Sequence, residues 1–150
     1  MSMDSINTEE LVEQMLSVMP LFAKKLFGPV HILHDSDLHH THFHIMHLIN
    51  DAGSIRTTDI AGKLAIKKSN LSPMLQKLTT KEFILRKKDP ADRRVIYIEL
   101  TRAGQSFLEE KKVILQKEVE ERLSLLHSED KKTLQEAVGS LQSVLSKLEG

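Results

Sequence analysis

The sequence predicts a mainly α-helical fold carrying one small β-hairpin. Three observations lead there: apolar stripes at helical spacing toward both ends, two short helical patterns joined by a tight turn, and a switch to alternating apolar residues around Asp89-Pro90. From the N-terminus, Leu11, Met15, Val18, Phe22 and Leu26 recur at helical spacing and mark one face of a helix. Thr8 stands where an N-cap is needed, and Glu9 and Glu10 suit the first turn. Pro20 lacks an N–H and predicts a kink or a division, and Gly28-Pro29 predicts an end.

A second helix is expected over about 40–51, with Phe43, Met46 or His47, and Ile49 or Asn50 on alternating faces, closed by Ala52-Gly53. Ile60, Ala61 and Leu64 then give a short helix from near Thr57. Leu71, Met74, Leu75 and Leu78 give another, across Ala65-Ile66-Lys67-Lys68. Such a pair reads as helix-turn-helix. Next the period becomes two: Ile84, Arg86 and Lys88 alternate with Leu85 and Lys87, and Val95, Tyr97 and Glu99 alternate with Ile96, Ile98 and Leu100. Asp89-Pro90-Ala91-Asp92-Arg93-Arg94 between them combines turn chemistry with positive charge. A helix-turn-helix followed by a basic hairpin is a winged helix-turn-helix. Two more helices follow, over about 103–126 and 129–148, the last with Ser128 as expected N-cap. Its Leu134, Val138, Leu141, Leu145 and Leu148 form a heptad-like seam that needs a partner, either the first helix of the same chain or a second chain. The expected organisation is therefore a single domain over 1–150: dimerisation helices over about 8–36 and 103–148 enclose a winged helix-turn-helix over about 40–102.

Composition narrows the function. The 150 residues include no Cys, which removes thiol nucleophiles, thiolate zinc sites and thiol redox switches. With 40% hydrophobic and 28% charged residues the chain is neither disordered nor membrane-embedded, and no apolar run approaches the roughly 20 residues of a spanning helix. No secretory signal is visible in Met1-Ser2-Met3-Asp4-Ser5, so a cytoplasmic location is expected. No Gly-rich phosphate loop follows a strand, and neither a His-Glu-x-x-His nor a serine elbow occurs, so no enzyme is expected. The balanced totals, 21 basic against 21 acidic residues, hide a segregation. From Arg56 to Arg102 there are 12 basic and five acidic residues, a net +7, which leaves −7 for the remainder. A basic segment on an acidic scaffold suits a polyanion, against the alternative of an ordinary solvated charged face.

Nearly the whole chain resembles the MarR family of bacterial winged-helix transcription regulators. The most specific part is Asp92-Arg93-Arg94 followed by a strand and Leu100-Thr101-Arg102-Ala103-Gly104, similar to the family's wing motif of Asp-x-Arg, strand and Leu-Thr-x-x-Gly. Asp59-Ile60-Ala61-Gly62-Lys63-Leu64 resembles the helix before the recognition helix, and Asn70-Leu71-Ser72-Pro73-Met74-Leu75-Gln76-Lys77-Leu78 resembles the recognition helix, with wording similar to the organic-hydroperoxide-sensing branch. That branch senses with a cysteine, which this chain lacks. Glu82 stands where the family has Gly, so another residue or geometry is expected to make the turn into the wing. Arg56 stands where Ser or Thr commonly caps, and Thr57 is expected to take that role.

The resemblance implies double-stranded DNA as partner. Lys67, Lys68, Ser69, Asn70, Ser72, Pro73, Gln76 and Lys77 are the candidates in the major groove, with Asn70 and Gln76 suited to adenine and the lysines to phosphate. Arg94 would enter the minor groove, Asp92 would orient an arginine, and Arg86, Lys88 and Arg93 would meet the backbone. The other partners implied are a second copy of the chain, in a homodimer, and an unidentified small-molecule inducer; no membrane and no cofactor are expected.

Seven of the eight histidines crowd into 31–47: His31, His34, His39, His40, His42, His44 and His47. His40, His44 and His47 share a helical face, which raises zinc as an alternative. The zinc-dependent members of the family, however, use further histidines after the wing, where this chain has Phe107-Leu108-Glu109-Glu110-Lys111-Lys112, and only His44 falls on one of their ligand positions. The expectation is therefore no metal site. A proton-responsive patch and a helical metal-binding or adaptor protein without DNA function are the remaining alternatives.

Overall fold

The fold is that of a computed structural model, which describes residues 5–27 and 37–148. Ile45, Met46 and Ile49 of α2 (His40–Ala52) form the centre of the core and are wholly buried. Around them close Ile60 of α3 (Thr57–Lys63), Leu71, Leu75 and Leu78 of α4 (Lys68–Thr80), and Leu108 of α5 (Arg102–Leu123). The alternation read in the hairpin places Ile84 of β2 (Ile84–Lys88) and Ile98 and Leu100 of β3 (Ile96–Leu100) on the same core. The third strand, β1 (Ile55–Arg56), has no counterpart in the sequence reading, because two residues are too few to show a period. It pairs antiparallel with β3, Ile55 opposite Ile98, so the sheet order is β1-β3-β2.

Three expected N-caps lie one residue early in the structure. The cap of α1 (Thr8–Phe22) is Asn7, whose Oδ1 accepts the Glu10 N–H at 3.2 Å; Thr8 is already helical. Arg56, not Thr57, precedes α3, since pairing with Tyr97 keeps it extended. His127, not Ser128, precedes α6 (Ser128–Leu145), without a side-chain bond. The last two helices also stop short of the expected ends. Leu125 and Leu126, and then Lys147 and Leu148, donate three residues back, which tightens each final turn out of α geometry. Pro20 stays within α1, and a π-helical turn follows over Ala23–Phe27. The expected end at Gly28-Pro29, the helix to residue 36 and His31 and His34 lie outside the described residues.

The junction between wing and α5 explains the Leu-Thr-x-x-Gly motif. Thr101 caps α5 through a 3.0 Å bond from the Gly104 N–H, and its hydroxyl also donates to the Glu82 carbonyl at 2.6 Å. Its own N–H donates to the Phe83 carbonyl at 3.0 Å. The first turn of α5 is thereby drawn so close to the chain entering β2 that a Cβ at position 104 would lie 2.1 Å from the Phe83 oxygen.

By contrast α1 and α6 bury no residue. Packing of the α6 seam onto the first helix, one of the two sequence alternatives, is not what the chain adopts: Val138, Leu141, Leu145 and Leu148 remain exposed, as do Leu11, Met15 and Val18 of α1.

Candidate nucleic-acid interface

Helix α4 divides its residues sharply. Leu71, Leu75 and Leu78 are buried, while Lys67, Lys68, Ser69, Asn70, Ser72, Pro73 and Gln76 are exposed around its N-terminal half. Both ends of α4 are set by tight turns that glycine usually makes. Before it, Ala65 is left-handed (φ 52°), with Ile66 donating to the Ala61 carbonyl and Ala65 to that of Gly62. After it, Glu82 is left-handed (φ 62°), with Phe83 donating to Leu78 and Glu82 to Thr79. Both are Schellman closures. Contrary to the expectation that another residue or geometry takes over, Glu82 makes the turn itself.

The wing stands beside this helix. Strand periodicity puts Arg86 and Lys88 on the face that Ile84 begins, and Arg86 lines a shallow groove with Thr57, Lys68 and Ser72. Lys87, on the other face, is paired with Glu99 at 2.8 Å. At the tip, Asp89 accepts the Ala91 N–H at 2.8 Å, and Val95 donates to the Asp92 carbonyl at 3.0 Å. Asp92 Oδ1 then accepts both the Arg94 N–H at 3.0 Å and its Nε at 3.1 Å. Those two contacts, the side chain's first, hold the Asp92 carboxyl below the usual carboxylate range. The Arg94 side chain is nonetheless 92% exposed: its direction is set and its outer guanidinium edge is open. Arg93 is exposed beside it.

One expected contact is drawn away from this surface. Lys77 is half-buried and donates to the Asp37 carbonyl oxygen at 2.6 Å, with the Asp37 carboxylate 3.3 Å away. Lys81 meets the same carboxylate at 2.7 Å. Lys81 first, then Lys77, lowers the Asp37 carboxyl to about 2. Neither Asp37 nor Thr57 was among the candidate contact residues of the sequence, where Thr57 figured only as a helix cap. Thr57 had a signal, a hydroxyl at a helix start beside the turn; Asp37 had none, because its partners lie about 40 residues on.

The histidines serve α2. His42 is buried, and its Nδ1 accepts the His39 N–H at 2.9 Å. Burial, then His39 and Lys77 nearby, keeps the His42 imidazole below its ordinary range; burial does the same to His44, with His40 and His47 adding to it. His47 instead lies 3.4 Å from Asp51. Among the described residues no three His, Asp or Glu side chains gather as a metal ion requires.

Residues 38–96, from the start of α2 to the wing tip at the beginning of β3, match the MarR family. The uncharacterized HTH-type transcriptional regulator YkoM of Bacillus subtilis (strain 168) is 31% identical over 110 residues, 70% of each chain. This chain belongs to the MarR family. Like the family, it is a DNA-binding transcription regulator and not an enzyme. The fold is shared with RV1404 of Mycobacterium tuberculosis, at TM-score 0.79 and 16% identity over 95% of this chain and 96% of that one. It is shared too with the transcriptional repressor CouR bound to a 23-mer DNA duplex, at TM-score 0.71 and 24% identity over 95% and 99%. Among the described residues no helix is long and apolar enough to cross a membrane.

Proposed function

We propose that this MarR-family regulator is a cytoplasmic homodimeric repressor that grips a pseudo-palindromic operator and releases it when a small molecule changes the spacing of its two recognition helices. The observation that carries the reading is the exposed polar half of α4 standing beside a wing whose Arg94 is aimed by Asp92. Lys67, Lys68, Ser69, Asn70, Ser72, Pro73 and Gln76 face the major groove, where the amides of Asn70 and Gln76 match adenine. Arg94 enters the minor groove, and Arg86, Lys88 and Arg93 contact phosphates. Lys77, occupied by Asp37, is left out of the contact set. Two-fold symmetry is supported by the apolar residues of α1 and α6 that the chain itself leaves uncovered, a surface suited to a second copy. The family match disfavours an adaptor without DNA function.

Sedimentation and a selection of duplexes from random DNA test this together. The expected outcome is a dimer that selects half-sites about one helical turn apart. A monomer at micromolar concentration, or equal affinity for a lone half-site, refutes it.

A further inference from the structure

We propose that Asp37 is a positioning residue for DNA reading: by bridging Lys77 and Lys81 it fixes the set of the recognition helix and keeps two cations from phosphate. The inference rests on α4 being the helix that reads the operator. Asp37 is a firm post. The next residue, Leu38, is buried, and the one after it, His39, is bonded to His42 at the start of α2. Lys77 and Lys81 sit four residues apart at the C-terminal end of α4, so a single acidic group can engage both, one through the carbonyl and carboxylate and the other through the carboxylate.

An exposed ion pair between two chain segments contributes little to stability, and exposed Asp37 is expected to follow that rule. Its leverage is geometric. Asn70 lies seven residues from Lys77, about 10 Å along the helix, so a tilt of about 5° about the pinned end moves Asn70 by roughly 1 Å. Base-edge contacts tolerate about 0.5 Å. Release of the lysines has a second effect, because each ammonium that reaches a phosphate steepens the salt dependence of binding by about 0.9 and does so for any sequence. Asp37 therefore favours discrimination over bulk affinity.

The test is fluorescence anisotropy of the full-length protein with a duplex selected from random DNA and with its scrambled form, each over a salt series. Asp37→Asn is expected to lower the ratio of selected to scrambled affinity about tenfold. Scrambled binding should at the same time become tighter and steeper in salt, with the melting temperature nearly unchanged. Asp37→Glu is expected to restore most of the ratio. Lys81→Gln, which removes one arm only, is expected to give a smaller fall and keeps the test open if Asp37→Asn does not fold. A ratio that is unchanged in the folded variants overturns the proposal. Asn70→Ala and Gln76→Ala are measured alongside: if neither weakens discrimination, α4 is not the reading helix and the clamp falls with it. If they do weaken it and Asp37→Asn does not, the clamp alone is refuted.

Discussion

Replacing Gly104 by Ala strikes the junction between wing and α5. The added Cβ would lie 2.1 Å from the Phe83 oxygen against 3.4 Å for ordinary contact, so about 1.3 Å must be made up between two backbone segments. Neither is free to yield. Thr101 is bonded to the Phe83 carbonyl at 3.0 Å and to the Glu82 carbonyl at 2.6 Å, and its cap on Gly104 moves with it. Overpacking of this kind costs about 1–3 kcal/mol and a lost hydrogen bond about 1 kcal/mol more, while alanine returns up to about 1 kcal/mol of helix propensity. A net loss of about 1–4 kcal/mol lowers the Tm of a chain this long by roughly 2–16 °C. Scanning calorimetry reads it, at one fixed protein concentration because association also shifts Tm. Gly139→Ala is the control: nothing lies within 4 Å of its Cβ on exposed α6, and it should gain up to about 1 kcal/mol. A Gly104→Ala protein melting no lower than the parent would refute the close approach.

The wing offers a paired comparison. Arg94→Ala should cost about 1–3 kcal/mol of operator binding, while Lys87→Ala, on the far face and neutralised by Glu99, should cost less than about 0.5 kcal/mol; equal losses at one salt concentration would reduce the wing to diffuse charge. His42 carries a pH prediction. Its pKa is lowered on folding from 6.5, so between that lowered value and 6.5 the unfolded chain binds more protons and stability rises with pH. This contribution is complete above 6.5 and is lost on acidification toward the lowered value, where a protonated Nδ1 no longer accepts the His39 N–H and a new cation faces His39 and Lys77, with only Asp37 opposed. Urea midpoints from about pH 5 to 7.5 should show a shallower slope in His42→Gln than in the parent; identical slopes would be the contrary result.

Helices α2 to α5 and the hairpin were legible in the sequence because each buries one face, and burial on one face writes a period into the residues; α1 and α6 carry the same helical period on apolar stripes that the chain itself leaves exposed. The wing motif was legible for a related reason: Thr101 and Gly104 are demanded by a local close approach. N-caps slipped by one because Asn7 and Thr8 are both good capping residues and only the Asn7 Oδ1–Glu10 bond decides between them, while Arg56 and His127 cap through backbone angles alone, and Arg56 owes its extended state to Tyr97, far along the chain. Strand β1, two residues long, was too short to write a period at all. Of the interface, the exposed half of α4 and the Asp92–Arg94 pair could be read locally. Lys77 could not, since its place next to Gln76 and four residues after Pro73 says nothing of an aspartate 40 residues earlier.

Ala65 and Glu82 carry a genetic consequence. Each occupies a left-handed position at the cost of about 1 kcal/mol relative to glycine, and every alanine or glutamate codon is a single base change from a glycine codon. A firmer hold on both ends of α4 has thus stayed within reach of point mutation without being taken. Helix α4 is left with a left-handed non-glycine residue at the turn on either side of it, and a screen for heat-resistant variants should return glycine at 65 and 82 early.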